Sequence, residues 1–317
     1  MSEEMPKLTV GFITYGDNTA KYLPYFLPSL IKQKIDNLKI LVVDNTEGEE
    51  NFNLNYLKDN YPDIEIIKKN KNLGFSRAYN IMIKRALDNG SKYFCALNPD
   101  MVLEDNSLSE LIEKIDKDDN LGSVSPRILK WNFDKKEKTK QIDTLGIKLL
   151  PGLRFVDADQ GSEENESFKD LEILGPSGAA GVYRLSGLEK IKVNNQYFDE
   201  LMFMYKEDCD LDYRLFLAGY KSLYVSEAVI YHDRTVFSRG ENDLKVVLNR
   251  KSKNKKVKEW SFLNQHIIFL KFWSRQTFLN KIKVTWFAFK MFVFVLIFER
   301  YLFKQYFKLF KIRNNKK

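Results

Sequence analysis

Cysteine is scarce in this chain. Its 317 residues hold two, Cys95 and Cys209, which form neither a CxxC pair nor a disulfide framework. That reads as two reduced, buried thiols in a cytosolic protein. No run of about 18 or more uncharged apolar residues occurs, so an ordinary membrane-spanning helix is not expected. The opening residues are polar and acidic, unlike a secretory leader. Residues 11–21 lack the Gly-rich, basic loop that a nucleotidyltransferase of α/β architecture would carry after its first strand. There is no internal repeat.

What is present is the material for a core. Hydrophobic residues make up 44% and charged residues 30%, a globular composition. The length suits one large α/β domain plus an appendage. The net charge of +8 hides a division. Residues 250–317 carry 18 Lys and Arg against two acids, while the preceding 249 carry 33 against 41. A basic tail on an acidic body calls for an anionic partner of its own.

The first half alternates strand and helix patterns. Short apolar runs at 8–14, 38–43, 64–67 and 93–97 read as buried strands. Helical spacing falls between them at 20–33, 51–60 and 75–87, and a further helix is expected from Asn106 or Ser107 to Ile115. Such alternation predicts a mostly parallel sheet with helices on both faces. Ligands then bind beyond the carboxyl ends of the strands. In the second half, 132–140 and 157–170 read as exposed loops, 175–181 as a small-residue stretch, 207–217 as a helix and 220–225 as a strand.

Four segments could carry chemistry. Asp100, in Asn98-Pro99-Asp100, follows a buried strand on a tight turn, where a carboxylate can hold Mg2+ or Mn2+ together with substrate phosphates. The alternative is a plain Pro-Asp turn. Asp44 ends the second strand and could accept from a base or ribose, or close an Asx turn. Glu207, Asp208 and Asp210 crowd three acids at a helix start. They either complement the helix dipole or raise one pKa toward proton abstraction. His232 ends an apolar run and is either a structural histidine or a metal or phosphate ligand.

Taken together, Val42-Val-Asp44-Asn, Asn72-Leu-Gly-Phe75 with Asn80, Leu97-Asn-Pro-Asp100, Gly178-Ala-Ala, Met204 to Leu211 and Tyr231-His232 resemble the family 2 glycosyltransferases, and most of all their rhamnosyltransferase-like branch. The resemblance covers roughly residues 7–240. It implies a GT-A fold, which is Rossmann-like, and an inverting transfer of a sugar from a nucleoside diphosphate. It implies that Thr14, Tyr15 and Asp44 hold a pyrimidine nucleoside, with Asp44 accepting from the base N3–H. Asn72, Gly74, Arg77 and Asn98 would lie near the rest of the nucleotide-sugar. Asp100 would hold the cation and His232 would help. Asp208, of the Glu207–Asp208 pair, would be the general base. The donor implied first is dTDP-rhamnose. UDP-sugars of N-acetylglucosamine, galactose or galactofuranose are the alternative. A catalytically inactive, membrane-bound carbohydrate-binding protein is the reading from another class.

The organisation expected is a GT-A domain over 1–250 and an amphipathic helical tail over 251–317. Seventeen aromatics between Trp260 and Phe310 are interrupted by lysines and arginines. Helices lying in a membrane interface on anionic lipid fit that pattern. A homo-oligomer surface is the other possibility. Nucleic acid is set aside, because apolar stretches such as 291–298 need burial that a polyanion does not supply. The enzyme is thus expected at the cytoplasmic side of the cell membrane, peripherally bound, with a glycan or lipid-linked acceptor.

Overall fold

The computed structural model describes residues 7–165, 169–234 and 254–314. The expected boundary at 250 and the start of the basic linker after it lie outside those residues.

Strands β1 (Leu8–Thr14), β2 (Lys39–Asp44), β3 (Glu65–Lys68) and β4 (Tyr93–Leu97) fall within a residue or so of the expected positions. They pair in parallel, with β1 between β4 and β2 and β3 outside β2. Near-continuous apolar runs form β1 and β4 because both of their faces are covered. One face packs helices α2 (Leu23–Ile31), α3 (Phe52–Asn60) and α5 (Ser107–Asp116), through Phe26, Leu27, Leu57 and Leu111. The short α1 (Gly16–Ala20) precedes α2. The other face packs α4 (Gly74–Asp88), α6 (Leu185–Ile191) and α7 (Glu207–Leu217), through Tyr79, Met82, Leu188 and Leu211.

The sheet continues past β4. In chain order the further strands are β5 (Met101–Leu103), β6 (Leu121–Asn132), β7 (Glu137–Thr144), β8 (Ile147–Leu150), β9 (Arg154–Asp157), β10 (Leu171–Ile173), β11 (Ala180–Arg184) and β12 (Lys221–His232). The main order is β10-β12-β6-β11-β4-β1-β2-β3, with β5 on β12 and β7 on β6. β11 runs antiparallel between β4 and β6. β6 and β12 are parallel to each other, so their carboxyl ends share an edge with those of β1, β2 and β4. β8 and β9 form a separate hairpin.

Two readings are corrected. Residues 132–140 are not one loop: 133–136 turn the β6–β7 hairpin, and from Glu137 onward the chain is strand β7. From Lys140 onward the side of β7 away from β6 is hydrogen bonded to residues 158–164. The first part of β7 is a sheet edge, with Lys138 paired to Glu104, and charge of that kind guards edge strands. It also makes them look like loops in sequence. The strand expected at 220–225 continues through an irregularity between Val225 and Val229 as far as His232.

The expected helical tail is present as α8 (Lys255–Phe272), α9 (Phe278–Phe298) and α10 (Phe303–Asn314). Its first helix faces protein rather than a free interface. Ile267, Ile268, Phe269 and Phe272 share a buried cluster with Leu153, Phe155, Met202, Cys209 and Tyr213 of the body. Such side chains stabilise by about 1.5–3 kcal/mol each when buried. Removing the tail would therefore uncover the underside of α7. Among the described residues, no helix is long and apolar enough to cross a membrane.

Candidate active site

The carboxyl edge of the sheet gathers the predicted side chains from distant parts of the chain. At its β2 end lies Asp44, fully buried. Its Oδ1 accepts from Thr14 Oγ1 at 2.9 Å and from Thr46 Oγ1 at 2.7 Å. Its Oδ2 accepts from Asn51 Nδ2 at 2.8 Å and Lys68 Nζ at 2.6 Å. Burial alone would raise its pKa, but Lys68, Thr46, Asn51 and Thr14 together hold it below the usual carboxylate value. A base N3–H would have to share or displace one of these donors. Asn45 next to it clips two elements, donating to Gly74 O at 3.0 Å and accepting from Leu73 N at 3.2 Å.

The start of α4 is spoken for. Asn72 Oδ1 accepts from Gly74 N, and Arg77 is ion-paired with Glu200 at 2.8 Å. Gly74 has φ of +73°, and a Cβ there would lie 2.5 Å from Phe203 O, so only glycine fits this turn. In this arrangement Asn72, Gly74 and Arg77 shape the edge through those contacts. Thr14 points to Asp44, and Tyr15 is exposed beside it.

Toward the other end of the sheet, β5 pairs with β12 so that Met101 lies opposite His232. Asp100 and His232 are thereby neighbours, with Oδ1 and Nε2 3.3 Å apart. His232 Nδ1 is 2.8 Å from Asp143 Oδ2, a buried partner that fixes the ring. Arg234 bridges Asp143 and Asp157. Burial would lower the His232 pKa, but Asp100 and Asp143 outweigh it and lift it to about 10. Asp100 Oδ1 is buried, and apart from this contact with His232 it has no hydrogen-bond partner among the described residues. An oxygen and a nitrogen about 3 Å apart match two adjacent ligands of a divalent ion with bonds near 2.1 Å. No group of three or more His, Cys, Asp or Glu suited to a metal occurs among the described residues. The pair could supply two ligands to such an ion.

At the third position, the segment before β11 passes Asn98, whose N–H donates to Ala179 O at 2.8 Å. Gly178 N donates to Asp208 Oδ2 at 2.8 Å, and Cys209 N to Oδ1 at 2.8 Å. Asp208 thus stands beside Asn98 at the same edge, partly exposed. Glu207 is buried, and its Oε2 has no partner. Burial, then the proximity of Asp208, drives its pKa well up. Asp212 is buried with both oxygens unpartnered, pressed beneath Gly175, where a Cβ would come within 2.0 Å of its Cγ. Tyr205 and Lys206, with φ of 71° and 72°, turn the chain into α7, and Asn264 of α8 donates to Met204 O and Tyr205 O at 3.0 and 2.6 Å.

Residues 9–191 match the family described as glycosyl transferase family 2. The chain belongs to this family. A curated relative, the N-acetylglucosaminyl-diphospho-decaprenol L-rhamnosyltransferase of Mycobacterium tuberculosis, is 26% identical over 243 residues, covering 72% of this chain and 76% of that protein. The fold is that of GT-A glycosyltransferases. GalNAc-T7, solved with UDP, GalNAc and Mn2+, superposes with a TM-score of 0.55 at 14% identity. The match spans 73% of this chain but 44% of that one. The mannosyltransferase PcManGT of Pyrobaculum calidifontis, in complex with GDP-Man and Mn2+, gives 0.50 at 13% identity over 98% of this chain and 88% of that one. The family match of this glycosyltransferase ends at residue 191, before Asp208 and His232, so their place at the edge rests on the geometry above.

Several supporting residues were not singled out from the sequence. Lys68 was within reach, since a parallel β2–β3 pair sets it opposite Asp44. Asp143, Asp212 and Asn264 gave no local signal, because each acts through a partner at least 30 residues away or through a missing one.

Proposed function

We propose that this glycosyltransferase moves a sugar with inversion from a nucleoside diphosphate to a hydroxyl of a lipid-linked, cell-surface glycan. The donor proposed is dTDP-rhamnose. The observation that carries the reading is the shared carboxyl edge, which Asp44 reaches from β2, Asp100 from the β4–β5 turn, His232 from the end of β12, and Asp208 from the start of α7, tied to Gly178 ahead of β11. The name of the mycobacterial relative supports rhamnose as the sugar and a diphosphate-linked polyprenyl chain as the carrier.

Asp208 takes the proton of the acceptor hydroxyl while that oxygen attacks the anomeric carbon on the face opposite the diphosphate. The bond from the anomeric carbon to the phosphate oxygen breaks, and the nucleoside diphosphate leaves with the electron pair. The N–H groups of Gly178 and Cys209 hold one lone pair on each Asp208 oxygen and leave others for the proton. Burial favours the neutral form of Glu207, which would spare the base a second adjacent charge. Asp100, and His232 once its Nε2 proton is released, would hold Mg2+ or Mn2+, which would neutralise the charge growing on the diphosphate. Asp44 and Thr14 border the nucleoside end.

A working position at the cytoplasmic face of the membrane belongs to the same proposal. A lipid-linked acceptor requires it, and the excess of lysine and arginine in residues 250–317 supports it. Calorimetry with dTDP-rhamnose and with UDP- and GDP-sugars, with and without Mn2+ or Mg2+, tests the donor. The expected result is metal-dependent binding of dTDP-rhamnose well ahead of the others. Equal or tighter binding of a UDP-sugar overturns the rhamnose assignment.

A further inference from the structure

α9 is apolar on two opposite sides. Val284, Ala288, Met291 and Val295 turn toward the protein. The opposite stripe, Leu279, Ile282, Trp286, Phe289 and Leu296, recurs at spacings of three, four, three and seven, and its members are exposed, Trp286 by 60% and Leu279 by 69%. A helix apolar all round belongs inside an apolar medium, and here one side has none. Lys283 and Lys290 flank Trp286 at three before and four after, on the same side of the helix. No acid occurs between Phe278 and Phe298.

The β8–β9 turn closes this side into a hollow. Gly152 N donates to Asn280 Oδ1 at 2.8 Å, and Lys283 O would lie 3.1 Å from a Cβ on Gly152. The turn and helix enclose a cavity of about 250 Å³, lined by Arg154, Ile282, Lys283, Trp286, Phe287 and Lys290. Three cations thus surround an apolar floor, and Arg154 stands 5.3 Å over the Phe287 ring. Anionic phosphate above, hydrocarbon below and an indole at the boundary is the chemistry of a phospholipid at the edge of a bilayer. A second copy of the chain docked through the same stripe would bring like charges together.

We propose that the outer side of α9 lies in the surface of a bilayer, and that Arg154, Lys283 and Lys290 seat the phosphate of an anionic phospholipid. This rests on the membrane association proposed above and adds its location and headgroup. The seat couples to catalysis through the fold. α9 buries Val284 with α8, and α8 holds the carbonyls just ahead of Asp208 through Asn264.

The test uses the full chain with vesicles of phosphatidylcholine alone and of phosphatidylcholine mixed with phosphatidylglycerol. Wild type should bind the mixed vesicles, and brominated lipid should quench tryptophan emission, with most of that quenching lost in Trp286→Phe. Each cation near an anionic surface is worth about fivefold in binding. Lys283→Gln with Lys290→Gln should therefore lower affinity for mixed vesicles about 30-fold and leave binding to phosphatidylcholine unchanged. Unaltered donor binding by calorimetry verifies that the double variant is folded. Wild-type affinity of that variant for mixed vesicles overturns the seat while leaving membrane association standing. Failure of wild type to bind either vesicle overturns the reading beneath it. A solution dimer dissolved by Trp286→Ser, with no vesicle binding, assigns the stripe to a second copy and overturns both.

Discussion

Asp44 and Asp208 end up at one edge of one sheet in opposite electrostatic conditions. Asp44 is wholly buried and its oxygens are filled by Thr14, Thr46, Asn51 and Lys68. Asp208 is partly exposed, held by two backbone N–H groups and bordered by Glu207, whose Oε2 has no partner, and by Asp212, both of whose oxygens lack one. A carboxylate whose donors are all supplied by the fold is a fixed strut. One whose lone pairs remain open beside poorly satisfied neighbours can change its protonation during a reaction. On the proposed mechanism the β1–β4 end stays as it is and the α7 end reacts.

The sharpest way to break this contrast is Asp208→Asn. Transfer should fall by about 10²–10⁴ in kcat while donor affinity, read by calorimetry, stays near wild type. Retained turnover would make Asp208 as much a strut as Asp44. Next in size is Asp143→Asn, which loosens His232 without touching substrate. A Mn2+ or Mg2+ titration of donor binding should shift by about 10–100-fold in metal affinity, and an unchanged titration would remove the cation from the Asp100–His232 pair. Asn264→Ala releases the carbonyls of Met204 and Tyr205 before the base. A fall in kcat of roughly tenfold, or about 1.4 kcal/mol, is expected with KM for the donor unchanged. A rise in KM alone would show that α8 supports the donor rather than the base.

The smallest effect concerns pH. The folded pKa of Asp44 is depressed, so its contribution to stability is complete above the unfolded carboxylate value of about 3.9. It fades as pH falls through the lower folded value. Glu207 has the opposite sign. Its raised folded pKa means stability is lost as pH climbs above about 4.3, the unfolded value. Thermal midpoints of Glu207→Gln should therefore gain on wild type between pH 5 and 8, whereas those of Asp44→Asn should be lower than wild type near neutrality and converge with it in acid. Parallel pH curves for all three proteins would erase the distinction between the two ends.

The β1–β4 half was legible because each strand is a single apolar run stopped by a polar residue at its carboxyl end, as at Asp44 and Asn98. The same runs placed the candidate residues on one edge. What stayed hidden depends on long-range pairing. β7 looks like a loop because its lysines face solvent at a sheet edge, and the support of His232 by Asp143 spans 89 residues. α8 has apolar and polar residues all round because it is enclosed by protein, which removes the one-sided pattern that marks a surface helix.

Tyr205 and Lys206 both carry side chains in a backbone region that costs about 1–2 kcal/mol per residue outside glycine. The chain accepts that strain immediately before its proposed base. A glycine at 206 would relax the bend, but it would also free the helix start to wander. Robustness and speed are thus set against each other at one peptide, and selection for a hardier enzyme would be expected to find slower ones there first.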